Sequence, residues 1–176
     1  MMGEHTAAAG SDQPLVFGQG AVGLEPAIRP SWLICRAGNV LCALPIEHVV
    51  EIMRLLPIQP LAGAPDYVRG VSIVRGAPVP VVDAGLVIGN GSGESTRLVA
   101  IRTGPRIVAL AVAAIVGITA VGADTFAQLP PLLRDAASET VTAIGARDGE
   151  LLVCLQSGRL ISDDALARLD EAGMAS

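Results

Sequence analysis

Residues able to carry chemistry are few in this sequence, and their spacing works against most of it. Glu47 and Glu51 stand four apart, the separation of an acid/base pair on one helical turn. No nucleophile accompanies them, and like charges at that spacing mark a solvated face. Asp83, Asp163 and His48 have no nucleophile elbow of the G-x-S-x-G type to work with. Cys35, Cys42 and Cys154 form no C-x-x-C pair, and with His5 and His48 they make no metal-ligand set. Gly18-Gln-Gly-Ala-Val-Gly23 fits the G-x-G-x-x-G pattern of a dinucleotide site and follows the apolar run Leu15-Val16-Phe17. Pro26 and Pro30 break the helix whose N-terminus would hold the pyrophosphate, and no acidic residue stands about 20 positions on for the ribose. The expectation is a protein with no catalytic residue, cofactor or metal. The alternative is a small nucleotide-binding protein or enzyme that uses the Gly18–Gly23 loop.

One cation stands out instead. In Gly70-Val-Ser-Ile-Val-Arg-Gly-Ala-Pro-Val-Pro-Val-Val-Asp83, Arg75-Gly76 separates two β-branched runs, Val71–Val74 and Val79–Val82. That pattern reads as strand, tight turn, strand. Pro78 and Pro80 cannot donate to a ladder, so the second strand is expected at an edge or bulge. A guanidinium beside an incompletely paired apolar edge outlines a binding surface, unless Arg75 is a turn arginine tied to a neighbouring loop.

The elements that must position Arg75 follow from turn chemistry and periodicity. Trp32–Arg36 and Val40–Leu44 flank a turn at Gly38-Asn39, a hairpin that sets Cys35 opposite Cys42. Pro45 suits a helix start, and Ile46, Val49, Val50 and Met53 fall at helical spacing, so a short helix is predicted near 46–54. Gly89-Asn-Gly-Ser-Gly-Glu-Ser95 marks a boundary between two strand-rich halves. Strands are predicted at 97–102, 106–112, 114–121, 140–146 and 150–156, with a Pro-containing loop before 140. Ser162 caps a C-terminal helix near 163–171 that must dock on a sheet, because Leu166 and Leu169 are its main apolar positions. Residues 1 to about 30 read as a mobile tail.

Composition narrows the function class further. The chain has 176 residues, 51% of them hydrophobic, which is enough for a sizeable core. A formal net charge of -5 and four aromatics (Phe17, Trp32, Tyr67, Phe126) argue against nucleic acid, which needs clustered cations or stacking platforms. Ile107 to Ala123 is free of charge but holds Gly117 and many β-branched residues, so it reads as two buried strands rather than a membrane span. No basic start and apolar h-region mark a signal peptide, and the cysteines read as small hydrophobes of a reduced, cytoplasmic protein.

Taken in order, these pieces resemble the CheW-like chemotaxis coupling domain. Gly70-Val-Ser-Ile-Val-Arg-Gly-x-x-Val-Pro-Val-Val-Asp83 is similar to that family's G-V-x-N-L-R-G-x-x-x-P-V-x-D. Val49-Val-Glu-Ile52 resembles its V-x-E-I element, and Ala64-Pro-Asp-Tyr-Val-Arg-Gly70 its P-x-F-x-x-G lead-in. Asp148-Gly149 with Leu151–Leu155 resembles the closing strand, whereas Ala113-Ala114 stand where a Val-Asp is common. The resemblance implies a mainly β fold of two small five-stranded SH3-like barrels packed together, with subdomains at about 31–88 and 96–160 and a C-terminal helix at about 162–172. It implies a non-enzymatic scaffold that couples chemoreceptor signalling tips to the regulatory domain of a CheA-type histidine kinase. Carried over by position, Arg75, Val49 and Glu51 match the partner-binding surface, with Val74 and Gly76 beside Arg75 in its turn.

Overall fold

Short β-branched runs closed by two-residue turns build this protein, seen here in a computed structural model that describes residues 29–122, 125–129, 139–169 and 171. The first hairpin joins β1 (Ser31–Ala37) to β2 (Val40–Pro45) through Gly38, whose φ of 62° suits the tight turn, and Cys35 does face Cys42. Four further strand pairings follow among β3 (Val49–Arg54), β4 (Val68–Val74), β5 (Ala77–Asp83), β6 (Arg97–Thr103) and β7 (Arg106–Val112). The chain closes with β8 (Ala114–Ala120), β9 (Phe126–Gln128), β10 (Val141–Arg147) and β11 (Glu150–Leu155). Among the described residues there are two short α-helices, α1 (Ala84–Val87) and α2 (Asp163–Leu169).

These strands form two sheets, ordered β8-β1-β2-β11-β10-β9 and β3-β6-β7-β5-β4. The larger sheet therefore has six strands rather than the expected five. The Gly-rich stretch 89–95 does not separate them either. It lies between β5 and β6 of one sheet, while β1 and β2 at the start of the chain pair with β8 and β11 near its end. A boundary chosen by flexible composition misses this, because long-range pairing leaves no local mark.

Strand alternation divides the interior into three layers. Between the sheets lie Leu33, Cys35 and Leu44 of one and Val82, Val99, Ile101 and Leu110 of the other, joined by Leu160, Ala165 and Leu169. Behind the five-stranded sheet are Val79, Val81, Leu98, Ala109 and Ala111, and behind the six-stranded sheet Ile34, Leu41, Ala43 and Leu152. Central strands such as β7 are thus buried on both faces and read as continuous apolar runs. This explains the charge-free stretch, which β7 and β8 occupy as strands as far as Ala120. Among the described residues no helix is long and apolar enough to cross a membrane.

The predicted helix at 46–54 is overturned. A single 3-10 turn, Ile46–His48, leads into β3, which runs extended with alternating half-buried and exposed residues. The apolar spacing at 46, 49, 50 and 53 misled because β3 carries apolar residues on both faces, and its β-branched content suits a strand. The Pro-containing loop before 140 also holds the short strand β9. Pro78 and Pro80 lie in a strand between β4 and β7, not at the sheet edge. Pairing with β7 begins only at Val81, so both prolines occupy the part of β5 that has one neighbour. Ser162 does cap α2, its Oγ accepting from Ala165 N at 3.3 Å, and Ala165 and Leu169 dock the helix on the central core.

Candidate functional site

Val74 pairs with Ala77 across a two-residue loop in which Arg75 has φ 51° and Gly76 φ 83°. Positive φ at both central positions is the twist-matched hairpin turn, and it costs a non-glycine residue such as Arg75 some strain. The turn projects the guanidinium back over the five-stranded sheet. Arg75 Nε donates to Glu51 Oε1 and Nη2 to Oε2, both at 2.8 Å. Arg75 remains 81% exposed, while Glu51 is 23% exposed.

Glu51 belongs to β3 and Arg75 follows β4, the two edges of the sheet, so the edges must curl toward each other. The chain after β3 accomplishes this. Gln59 exchanges backbone hydrogen bonds with Val71 at 2.7 and 2.9 Å, and Ser72 Oγ donates to the Pro57 carbonyl at 3.0 Å. Gly70 is what permits the approach. Its φ is 137°, and a Cβ there would lie 2.0 Å from the Gln59 carbonyl oxygen.

A bulge between Val49 and Glu51 then sets which way each side chain of β3 faces. Val49 opposes Ile101 and packs against the core between the sheets, whereas Glu51 opposes Ala100, on the side of Met53 and Leu98. The two hydrogen bonds from Arg75 hold the Glu51 carboxyl below the usual carboxylate range and raise the guanidinium in turn. Of the sequence-derived site residues, the structure joins Arg75 and Glu51 directly and places Val49 half-buried beneath them. Val74 is a buried residue of the core, and Gly76 completes the turn with open space around its Cα.

Sequence reasoning missed the apolar surroundings. Val50 (43% exposed) and Ile52 (42%) flank Glu51, and Ile73 (62%) lies two residues before Arg75. The helical reading had placed Val50 inside; the alternation Val50, Ile52, Arg54 was the available signal. Val116 and Ile118 on β8 are likewise exposed, at 47% and 62%.

Elsewhere the polar groups are engaged in holding the fold. The buried Asp83 carboxylate takes Arg69 Nε at 3.0 Å, Leu86 N at 3.1 Å and Ser92 Oγ at 3.3 Å, fixing the start of α1 and the 89–95 loop. A cleft of about 650 Å³ opens beside Tyr67, Leu86, Thr140, Arg159 and Ser162. Its polar groups satisfy one another: Tyr67 with Ser162, Thr140 with the Arg159 carbonyl, and Arg159 with Glu139. Among the described residues no cluster of three or more His, Cys, Asp or Glu suits a metal ion. The predicted tail of residues 1 to about 30, with the Gly18–Gly23 loop inside it, lies outside the described residues except for Arg29 and Pro30.

The sequence profile of the CheW-like domain matches residues 31–165, every element that builds this surface included. The chain belongs to the CheW-like family. As a member it is a non-enzymatic scaffold of chemotaxis-type signalling. The chemotaxis protein CheW of Klebsiella aerogenes is 26% identical over 146 residues, which cover 81% of this chain and 88% of that protein. Protein FrzA of Myxococcus xanthus is 28% identical over 117 residues, 65% of this chain and 72% of its own length. The crystal structure of the scaffolding protein TtCheW from Thermoanaerobacter tengcongensis shares the fold. Its TM-score is 0.67 at 18% identity, over 78% of this chain and 95% of TtCheW. Within this CheW-like chain, the Gly70–Asp83 motif now has a physical basis. Gly70 admits the crossing chain, Arg75-Gly76 makes the turn and Asp83 anchors α1.

Proposed function

We propose that this CheW-like chain bridges the cytoplasmic signalling tip of a chemoreceptor to the regulatory domain of a CheA-type histidine kinase. It works in the cytoplasm, recruited to membrane receptor arrays without inserting in the membrane itself. The observation that carries this reading is the Arg75 fork: a largely exposed guanidinium on a rigid turn, braced by Glu51, on a sheet whose edge strands also expose Val50, Ile52 and Ile73. A charged anchor amid exposed apolar side chains is the anatomy of a protein-binding surface, and arginine is enriched among residues that dominate binding. In this reading Arg75 and Glu51 touch the partner, Val49 supports β3 from below, and Val74 and Gly76 hold the turn. Each sheet takes the form of an SH3-like barrel, a reading supported in the five-stranded sheet by the Gln59–Val71 bridge between its edges.

Reconstitution tests the proposal. Purified chain, cognate kinase and receptor tips are mixed and kinase activity is followed. Receptor-dependent activation that requires the chain is expected; a kinase that responds equally without it would overturn the assignment.

A further inference from the structure

We propose that Arg54 and Arg97 form a two-cation clamp for an acidic helix presented by the receptor tip, one that carries two carboxylates a helical turn apart. The two arginines are direct register partners, Arg54 on β3 and Arg97 on β6, and both are exposed. Like charges directly opposite each other on neighbouring strands repel and destabilise a sheet. Elsewhere in the protein Arg36, Arg69, Arg75 and Arg159 each hold a carboxylate. Among the described residues no carboxylate lies within ion-pair distance of Arg54 or Arg97. Arg97 Nη1 donates to the adjacent Thr96 carbonyl at 2.9 Å, which leaves the repulsion in place.

The surroundings of the pair define what it would take. Arg97 also opposes Val112, and Ile52 opposes Val99; both valines are buried in the core between the sheets. The arginines thus stand at the rim of that layer, beside Ile52 and Leu55, which are exposed at 42% and 40%. Cations next to exposed apolar side chains suit an amphipathic helix that seats its apolar face and turns its acids to the arginines. The spacing agrees. Directly opposed strand residues have Cβ atoms about 5 Å apart, and residues one turn apart on a helix about 5–6 Å. Each guanidinium can take a carboxylate through two N–H donors. Two cations on a chain of net charge -5 give no stripe that could track a nucleic-acid backbone. The same net charge disfavours a second copy as occupant. The receptor tip as occupant rests on the adaptor reading; the unrelieved cation pair does not.

Binding kinetics of the full chain on purified receptor tips test the clamp. The double variant Arg54→Gln/Arg97→Gln should melt at or above the wild-type temperature, because the repulsion is gone, yet bind tips about tenfold more weakly. The loss should fall mainly on the association rate and shrink as salt screens the charges. Arg54→Lys/Arg97→Lys keeps both charges and should recover most of that rate. Unchanged affinity of the Gln variant overturns the clamp, and so does a loss confined to the kinase regulatory domain. A lowered Tm that accompanies the lost binding would make the pair structural and overturn it as well. If wild type sediments at twice its monomer mass and the Gln variant does not, the site belongs to a second copy and the helix is excluded. A wild type that binds neither tips nor kinase would instead overturn the adaptor reading, and the clamp's occupant with it.

Discussion

Arg75 and Glu51, 24 residues apart and on elements from opposite edges of one sheet, are locked by two parallel 2.8 Å hydrogen bonds. The pair holds the hairpin turn against β3 and leaves the arginine largely in solvent. Exposed ion pairs contribute little to stability, so the geometry matters more for what it presents than for what it stabilises.

Arg75→Ala is therefore expected to leave the melting curve nearly unchanged while lowering receptor-dependent kinase activation by about tenfold or more. Glu51→Lys should act in the same direction, because it replaces the brace with a like charge. If the exchanged pair Glu51→Arg/Arg75→Glu restores full activation, the interaction itself is what counts, and direct recognition of Arg75 by a partner is excluded.

Gly70 and Gly76 separate two kinds of glycine requirement. Gly70→Ala drives a methyl into the Gln59 carbonyl and should cost about 3 kcal/mol or more. Gly76→Ala meets open space and bears only the left-handed backbone penalty, about 1–2 kcal/mol. Urea titration of both variants measures the order; equal losses would mean that the chain crossing at Gln59 is not tight.

Acid should weaken the protein through two carboxyls. Arg36 donates to both oxygens of Glu150, at 2.9 and 3.0 Å, and lowers its pKa as Arg75 lowers that of Glu51. Stabilisation from a depressed carboxyl is complete above the unfolded value, near about 4.3, and is lost as pH falls through the folded one. Wild type should accordingly exceed Glu51→Gln/Glu150→Gln in Tm at neutral pH, with the two curves converging as pH drops below the usual carboxylate range. A constant gap at all pH values would show that the pairs are not the source.

The three thiols should be silent in the native state. Cys35 is held far above the usual thiol range by its hydrogen bond with Cys42 and by burial, and burial also raises Cys154. A disulfide-exchange reagent at mildly alkaline pH should titrate no thiol until denaturant is added, then all three. Rapid reaction of any one in the native chain would place it outside the core.

The sequence by itself determined the hairpins. Gly38-Asn39 and Arg75-Gly76 closed two of them, and the Cys35–Cys42 register followed from the first turn. Two-residue turns are local chemistry, since the backbone they need and the register they impose are written in adjacent residues. Ser162 as the cap of α2 is legible for the same reason. Tertiary structure alone decided the rest. Whether Val49–Arg54 became helix or strand depended on β6 lying beside it, because apolar residues on both faces satisfied either period. Which strands shared a sheet depended on the parallel pairings β2–β11 and β5–β7, made across long stretches of chain. Glu51 reached Arg75 only because Gly70 let the segment after β3 cross close over β4. Contacts of that kind depend on the packing of whole sheets, which no local run of residues encodes.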